Sequence, residues 1–291
     1  YLFSLGKINK DFEFSEYYSP SYWSFQYLVS QIFSSNYQIQ IIHLVNLSVS
    51  LATIVGIGKL AKEFFNSEVG KITSLVLFFL PVFFGHMAFN SKDTILAFCH
   101  VWITYFIFRY LKTQVNNIKI NKYIIYIGIL AALGSGIQIF FLASLLPIFL
   151  IIIFEIFMIK RFISKNFNKI KLVKDITICF LIFYAFVILF WIDTHSNIFL
   201  LPFEFFNRIL GETYWTGWPF NLVNGKYYFS SFIDNTYIIK NLIFKSPEYF
   251  LFLYSIFILF FLKIKLFLNK KFAHFNYKLL IILFFLIFPN L

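Results

Sequence analysis

Three carboxylates, Asp11, Glu13 and Glu16, fall within six residues near the start of the chain. Acids held beside a membrane can serve as a general base, and a divalent metal beside them is allowed by the same oxygen chemistry. A solvated acidic loop is the plainer account of the same residues. A second group is Gly85-His86-Met87-Ala88-Phe89-Asn90-Ser91-Lys92-Asp93. It offers an imidazole, an amide, an ammonium and a carboxylate in one tight turn. Asp93 stands where a helix should begin, so simple helix capping is its alternative role. The third place is Gly134-Ser135-Gly136-Ile137-Gln138, a turn signal ending in an amide. The fourth is aromatic: Trp215 and Trp218, then Asn224-Gly225-Lys226-Tyr227-Tyr228, with Arg208 before it and Tyr237 after it. Rings and amides suit sugars, whose C–H faces stack on aromatic planes, although Trp and Tyr also favour membrane interfaces. Asn224-Gly225 is in addition a hairpin signal.

The elements that must position these groups are membrane helices. Hydrophobic residues make up 60% of the 291, charged residues 13%, and 45 residues are Phe. A soluble domain carries about 25% charge. The mean hydropathy of +0.77 points the same way. Apolar runs at Tyr37–Leu60, Ile72–Phe89, Thr94–Leu111, Tyr123–Ile159, Ile176–Ile192, Tyr249–Leu262 and Leu279–Leu291 are each read as helix, because lipid leaves an open strand edge unsatisfied. The run 123–159 would reach about 55 Å as one helix, against a hydrocarbon layer of ~30 Å. Two helices joined at Leu133–Gln138 are therefore expected, and the total is about eight spans. The expected fold is an all-α polytopic transmembrane bundle with an outer-face loop domain. Its parts are a first outer loop with an interfacial helix (1–36), a transmembrane core (37–192), an outer loop (193–248) and C-terminal spans (249–291). The helix of the first loop is expected from the spacing of Tyr22, Trp23, Phe25, Tyr27, Leu28 and Ile32. A start at Tyr1 and an apolar end at Leu291 read as a fragment.

Charge tests the topology. The net charge is +12, but Lys and Arg lie between apolar runs, which suits membrane orientation and not nucleic acid. With 1–36 outside, inner segments hold 18 of the basic residues and outer ones 7. A single crossing of 123–159 would put the six basic residues of Lys160–Lys174 outside. Acidic residues concentrate on the outer side, as outward-facing chemistry would require. The basic stretch Lys160–Lys174 is expected against anionic inner-leaflet lipid. Cys99 and Cys179 sit in apolar runs and read as buried apolar residues. His43 and Asn46, a turn apart on the first span, are expected to hydrogen-bond a neighbouring helix.

The order of these features resembles the GT-C superfamily of membrane glycosyltransferases, on the bacterial branch of protein mannosyltransferase-like and lipid A aminoarabinose transferase-like enzymes. The residues that carry the resemblance are His43-Leu44-Val45-Asn46, the turn Phe84-Gly85-His86 to Phe89-Asn90-Ser91-Lys92-Asp93, and Asn224-Gly225-Lys226-Tyr227-Tyr228 followed by Tyr237 and Ser246-Pro247-Glu248-Tyr249. Ser91 stands where the family usually has Pro, and Gln138 where it usually has Arg; the segment Asp234–Tyr237 also lacks the family's Pro. The resemblance implies sugar transfer, with inversion, from a polyprenyl-phosphate donor to a lipid, glycan or protein acceptor. It places catalysis on Asp11, Glu13 and Glu16. His86, Asn90, Lys92, Asp93, Gln138, Arg208, Trp215, Trp218, Asn224, Lys226 and Tyr237 would contact donor phosphate or substrate. It fixes no cofactor and leaves room for a divalent metal. It also implies a multi-pass protein of a bacterial inner membrane with its site facing the periplasm. The alternatives are a transporter or lipid flippase, expected to show midplane charges and paired repeats, and a non-catalytic scaffold.

Overall fold

The computed structural model describes residues 21–114, 121–138, 140–160, 162–190, 199, 220–223, 225–229, 236–237, 240, 243–244 and 246–262. The chain divides into two compact units, Tyr1–Phe203 with Phe284–Leu291 and Glu204–Leu283. In the first, α1 (Ser21–Gln31) leads through a short 3-10 turn into α2 (Gln38–Phe64). Then come α3 (Ser67–Phe78), α4 (Pro81–His86), α5 (Asp93–Thr113) and α6 (Lys122–Ile137). The one-turn α7 (Phe141–Ser144), α8 (Leu146–Phe154) with a π-helical extension (Glu155–Ile159), and α9 (Lys169–Phe190) follow. In the second unit a hairpin pairs β1 (Phe220–Val223) with β2 (Lys226–Phe229), and α10 (Glu248–Leu262) is a separate apolar helix. The described part is an all-α membrane bundle apart from that hairpin. Four of its segments, Ser35–Phe64, Asp93–Thr113, Phe141–Met158 and Lys169–Phe190, are long and apolar enough to cross a bilayer.

On α2 the packing is inverted relative to a helix of a soluble bundle. On α2 the polar residues Asn46, Ser50 and Thr53 are buried, while Leu44, Leu51 and Val55 are exposed. The spacings of three, four and seven residues put each set on its own face. Lipid accepts the exposed apolar side chains, while Asn46 and Ser50 bond to the 87–94 segment and Thr53 Oγ1 to Val49 O of its own helix. Small residues bring α3 against α2: a Cβ on Gly58 would collide with Ser74 Oγ, and Ser74 Oγ donates to Ile54 O at 3.1 Å. At the centre runs α5, whose buried stripe Ile95, Cys99, Ile103, Ile107 and Leu111 repeats every fourth residue. It packs against α2 on one side and α6 on the other.

One end of the bundle gathers the basic residues. There Glu63 of α2 binds Arg109 (2.9 Å) and Lys112 (2.6 Å) of α5. Ser164 N donates to Leu111 O, and Gln114 exchanges two hydrogen bonds with the backbone of Asn168. Tyr110 OH donates to the buried Asp175 carboxylate at 2.8 Å. Helices that start here carry asparagine at their mouths: Asn66, Asn121 and Asn168 accept from the backbone of α3, α6 and α9. Lys165 and Lys169 therefore share an end with Lys62 and Lys112. The 123–159 run leaves this end at Asn121 and the chain is back at it by Ser164.

The sequence expectations need two corrections. The break in the 123–159 run falls later than the glycines: α6 continues to Ile137, and extended backbone begins at Gln138 (φ −152°, ψ 119°). Gly134 has a different job. A Cβ there would enter the Phe141 ring, which folds back onto α6 and is 4% exposed. The run 72–89 is not one helix, since α3 stops at Phe78 and α4 restarts at Pro81, whose missing N–H suits a first helical turn. The expected α1 forms with Phe25, Leu28 and Ile32 on its exposed side, and Tyr22 turns inward with Gln26 and Ser30. It presents its apolar face to lipid and its polar face to the protein.

Candidate functional site

The turn between α4 and α5 is at the end of the bundle opposite the ion pairs. It is held from below by α2. Asn46, 1% exposed, donates through Nδ2 to Met87 O (2.9 Å), Asn90 O (3.2 Å) and Thr94 Oγ1 (3.4 Å). Ser50 Oγ donates to the same Met87 carbonyl at 2.9 Å. His43 Nδ1 donates to Ala88 O at 3.0 Å, and its ring meets Phe89 edge-on with centroids 4.8 Å apart. His43, Asn46 and Ser50 lie on one face of α2 because they are three and four residues apart. A second clamp comes from α1. Trp23 Nε1 donates to Ser91 Oγ at 3.2 Å, and Tyr22 OH donates to Asn46 Oδ1 at 3.1 Å. Burial pushes the Tyr22 phenol up, so it remains a hydroxyl donor.

The turn also braces itself. Asn90 Oδ1 accepts from Lys92 N (3.0 Å) and Asp93 N (2.9 Å), and Asn90 Nδ2 donates to Asp93 Oδ2 at 2.9 Å. Thr94 Oγ1 donates to the Asn90 carbonyl. The backbone at the start of α5 is thus bonded by Asn90, not by Asp93. The Asp93 carboxylate stays exposed, with one oxygen oriented by Asn90. Beside it Lys92 is half-buried and His86 exposed. The chemistry on offer is a fixed carboxylate and an adjacent ammonium at the N-terminus of a 21-residue helix, whose dipole favours anions there.

The other expected site residues divide into three sets. Gln138 ends α6, half-buried, and shares this end of the bundle: Gly136 beside it and Ile95 beside Asp93 line one cavity. Lys226 and Tyr237 belong to the second unit. Lys226 is exposed on β2 opposite Val223, and Gly225 at the tip has φ +75°, the conformation expected of the Asn-Gly pair. Tyr237 is half-buried. Asp11, Glu13, Glu16, Arg208, Trp215, Trp218 and Asn224 lie outside the described residues. Among the described residues no three His, Cys, Asp or Glu side chains form a group that could hold a metal.

Sequence reasoning missed Tyr22, Trp23, Ser50 and Thr94 as parts of this site. A signal existed for Ser50, which follows Asn46 by one helical turn in an apolar span. None existed for Tyr22 and Trp23, since an aromatic pair at a membrane interface is common. His43 and Asn46 do make the hydrogen bonds expected of them, to the turn between α4 and α5.

No curated protein and no solved structure matches the chain. A family model does, that of dolichyl-phosphate-mannose-protein mannosyltransferase, over residues 19–191. The match takes in both helices that clamp the turn, the turn itself and the bundle through α9. On the strength of that span, which exceeds half of the sequence, the chain belongs to the dolichyl-phosphate-mannose-protein mannosyltransferase family and is a membrane glycosyltransferase of the GT-C type.

Proposed function

We propose that the protein transfers a sugar, with inversion, from a polyprenyl-phosphate carrier to an acceptor hydroxyl at the membrane face opposite its basic end. The acceptor oxygen attacks the anomeric carbon while Asp11 or Glu13 takes its proton. The anomeric C–O bond breaks, and polyprenyl phosphate leaves with the electron pair. Lys92 and the start of α5, helped by Arg208 or Lys226, offset the phosphate charge. Asp93 orients the sugar or the acceptor through hydrogen bonds, and Trp215 and Trp218 stack on it. The excess of Lys and Arg at the opposite end makes that end cytoplasmic and the catalytic face periplasmic in a bacterial inner membrane.

The observation that carries this reading is the doubly clamped turn. His43, Asn46 and Ser50 bond the backbone of the turn, Trp23 bonds its Ser91 hydroxyl and Tyr22 braces Asn46, and the turn so held carries Lys92 and Asp93. A scaffold has no need of a fixed exposed carboxylate. The base assignment is tested in liposomes carrying the full chain, a polyprenyl-phosphate sugar and candidate acceptors. Glu13→Gln or Asp11→Asn should lower the transfer rate about 100-fold or more. Full activity in both variants would remove these acids from the mechanism.

A further inference from the structure

The span Asp93–Thr113 carries a histidine within its length, His100. An ionisable side chain placed inside a membrane helix marks a working position and calls for a definite partner. The partner here is Ser144 O of α7, 3.2 Å from His100 Nε2. A carbonyl only accepts, so Nε2 carries the proton. The imidazole also meets the Phe141 ring edge-on, with centroids 6.4 Å apart. Phe141 and Ser144 are the first and last residues of α7, so His100 holds this one-turn helix at both ends. The local sequence needs such a hold. Extended backbone at Gln138 ends α6, and Pro147 stands in the first turn of α8. Proline has no N–H to give the turn before it, and lipid supplies no donor to a carbonyl left at the break. A donor from a neighbouring helix does.

We propose that His100 is a positioning residue of the site: it fixes the turn that follows Gln138 to the helix that carries Asp93, and so sets the spacing of Gln138 and Asp93 over the donor. Helix geometry ties the two together. His100 follows Asp93 by seven residues, close to two whole turns, so both stand on one side of α5, about 10 Å apart along its axis. On the facing segment, Phe141 N donates to Gln138 O at 2.9 Å, which joins Gln138 directly to the start of α7. Phe141 is in turn seated on Gly134 of α6. α7 is thus pinned to α6 by a ring and to α5 by an imidazole. A general base must come within about 3 Å of the proton it takes. Two turns below Asp93, His100 is too deep for an acceptor hydroxyl at the membrane face, so it acts through Gln138. The role given to Gln138 rests on the sugar-transfer reading; the hold on α7 does not.

The test uses the full chain in lipid nanodiscs, with backbone hydrogen exchange followed by mass spectrometry. In His100→Leu the amides of 141–145 should exchange about tenfold faster, while those of α2 are unchanged. His100→Gln should restore slow exchange, because its amide nitrogen reaches the place of Nε2. His100→Asn stops short of the carbonyl, and serves if His100→Leu does not fold. In His100→Leu and His100→Asn the KM for a polyprenyl-phosphate sugar should rise about fivefold with kcat nearly constant. The rise should vanish in a Gln138→Ala background, since the two residues act as one unit. Equal exchange in the folded variants, or fast exchange in His100→Gln, overturns the proposal. A KM rise that persists without Gln138 overturns it as well. So does a loss of kcat shared by His100→Gln, which would assign His100 to the chemistry. Exchange decides the hold on α7 even if the unaltered chain transfers no sugar, a result that counts against the transfer reading alone.

Discussion

Asn46 makes three of the hydrogen bonds that hold the turn and the start of α5. It is buried, its amide donates to two backbone carbonyls and one hydroxyl of the turn, and its own oxygen accepts from Tyr22. In Asn46→Ala the carbonyls of Met87 and Asn90 lose that donor in a dry place. The expected cost is about 1–2 kcal/mol, held to that size because the unfolded chain in a membrane also finds partners. Thermal unfolding in detergent reads the loss, and transfer should fall with it because the turn no longer holds Lys92 and Asp93. Asn46→Ala with unchanged stability would mean that the turn holds itself through Asn90 alone. Asn90 and Asp93 differ in kind from Asn46. Asn90 bonds the start of the helix, and the carboxylate it orients is left for chemistry.

At the scale of elements, the glycines of α6 decide how the chain doubles back. Gly134→Leu puts a side chain into the space of the Phe141 ring. Overpacking of that kind costs about 1–3 kcal/mol, so the variant should give a lower yield of monodisperse protein on gel filtration than the unaltered chain. The same region shows what could be read in advance and what could not. Length alone required a break between Tyr123 and Ile159, and the run is broken into separate helices. The place of the turn was misread, because glycine-serine-glycine signals a turn just as strongly when its real use is to admit an aromatic ring. Periodicity located α1 and its apolar face, with Tyr22 alone of the aromatic set turned in beside Gln26 and Ser30. The long spans α2, α5 and α9 were legible because each needs only apolar length. The clamps from Tyr22 and Trp23 were not, since they join residues 24 and 68 positions apart and local pattern carries no such information.

For the whole molecule, the arrangement predicts two opposed faces. Ion pairs and exposed lysines mark one end, and the turn bearing Asp93 marks the other. Single cysteines at His86 and Lys165, both exposed positions, should react with a membrane-impermeant maleimide from opposite sides of sealed vesicles, His86→Cys from the periplasmic side. The native Cys99 is buried and remains silent. Reaction of both from one side would break the topology, and with it the assignment of the catalytic face. The resemblance of the turn to a family pattern and the family match over residues 19–191 concern the same helices, so what the family does should depend on what those helices hold. The most direct measurement is the initial rate of sugar transfer from a polyprenyl-phosphate donor by Asp93→Asn protein in liposomes, beside the unaltered chain. A fall of about 100-fold or more with unchanged gel-filtration behaviour is the expected result; equal rates would contradict a working role for the clamped turn.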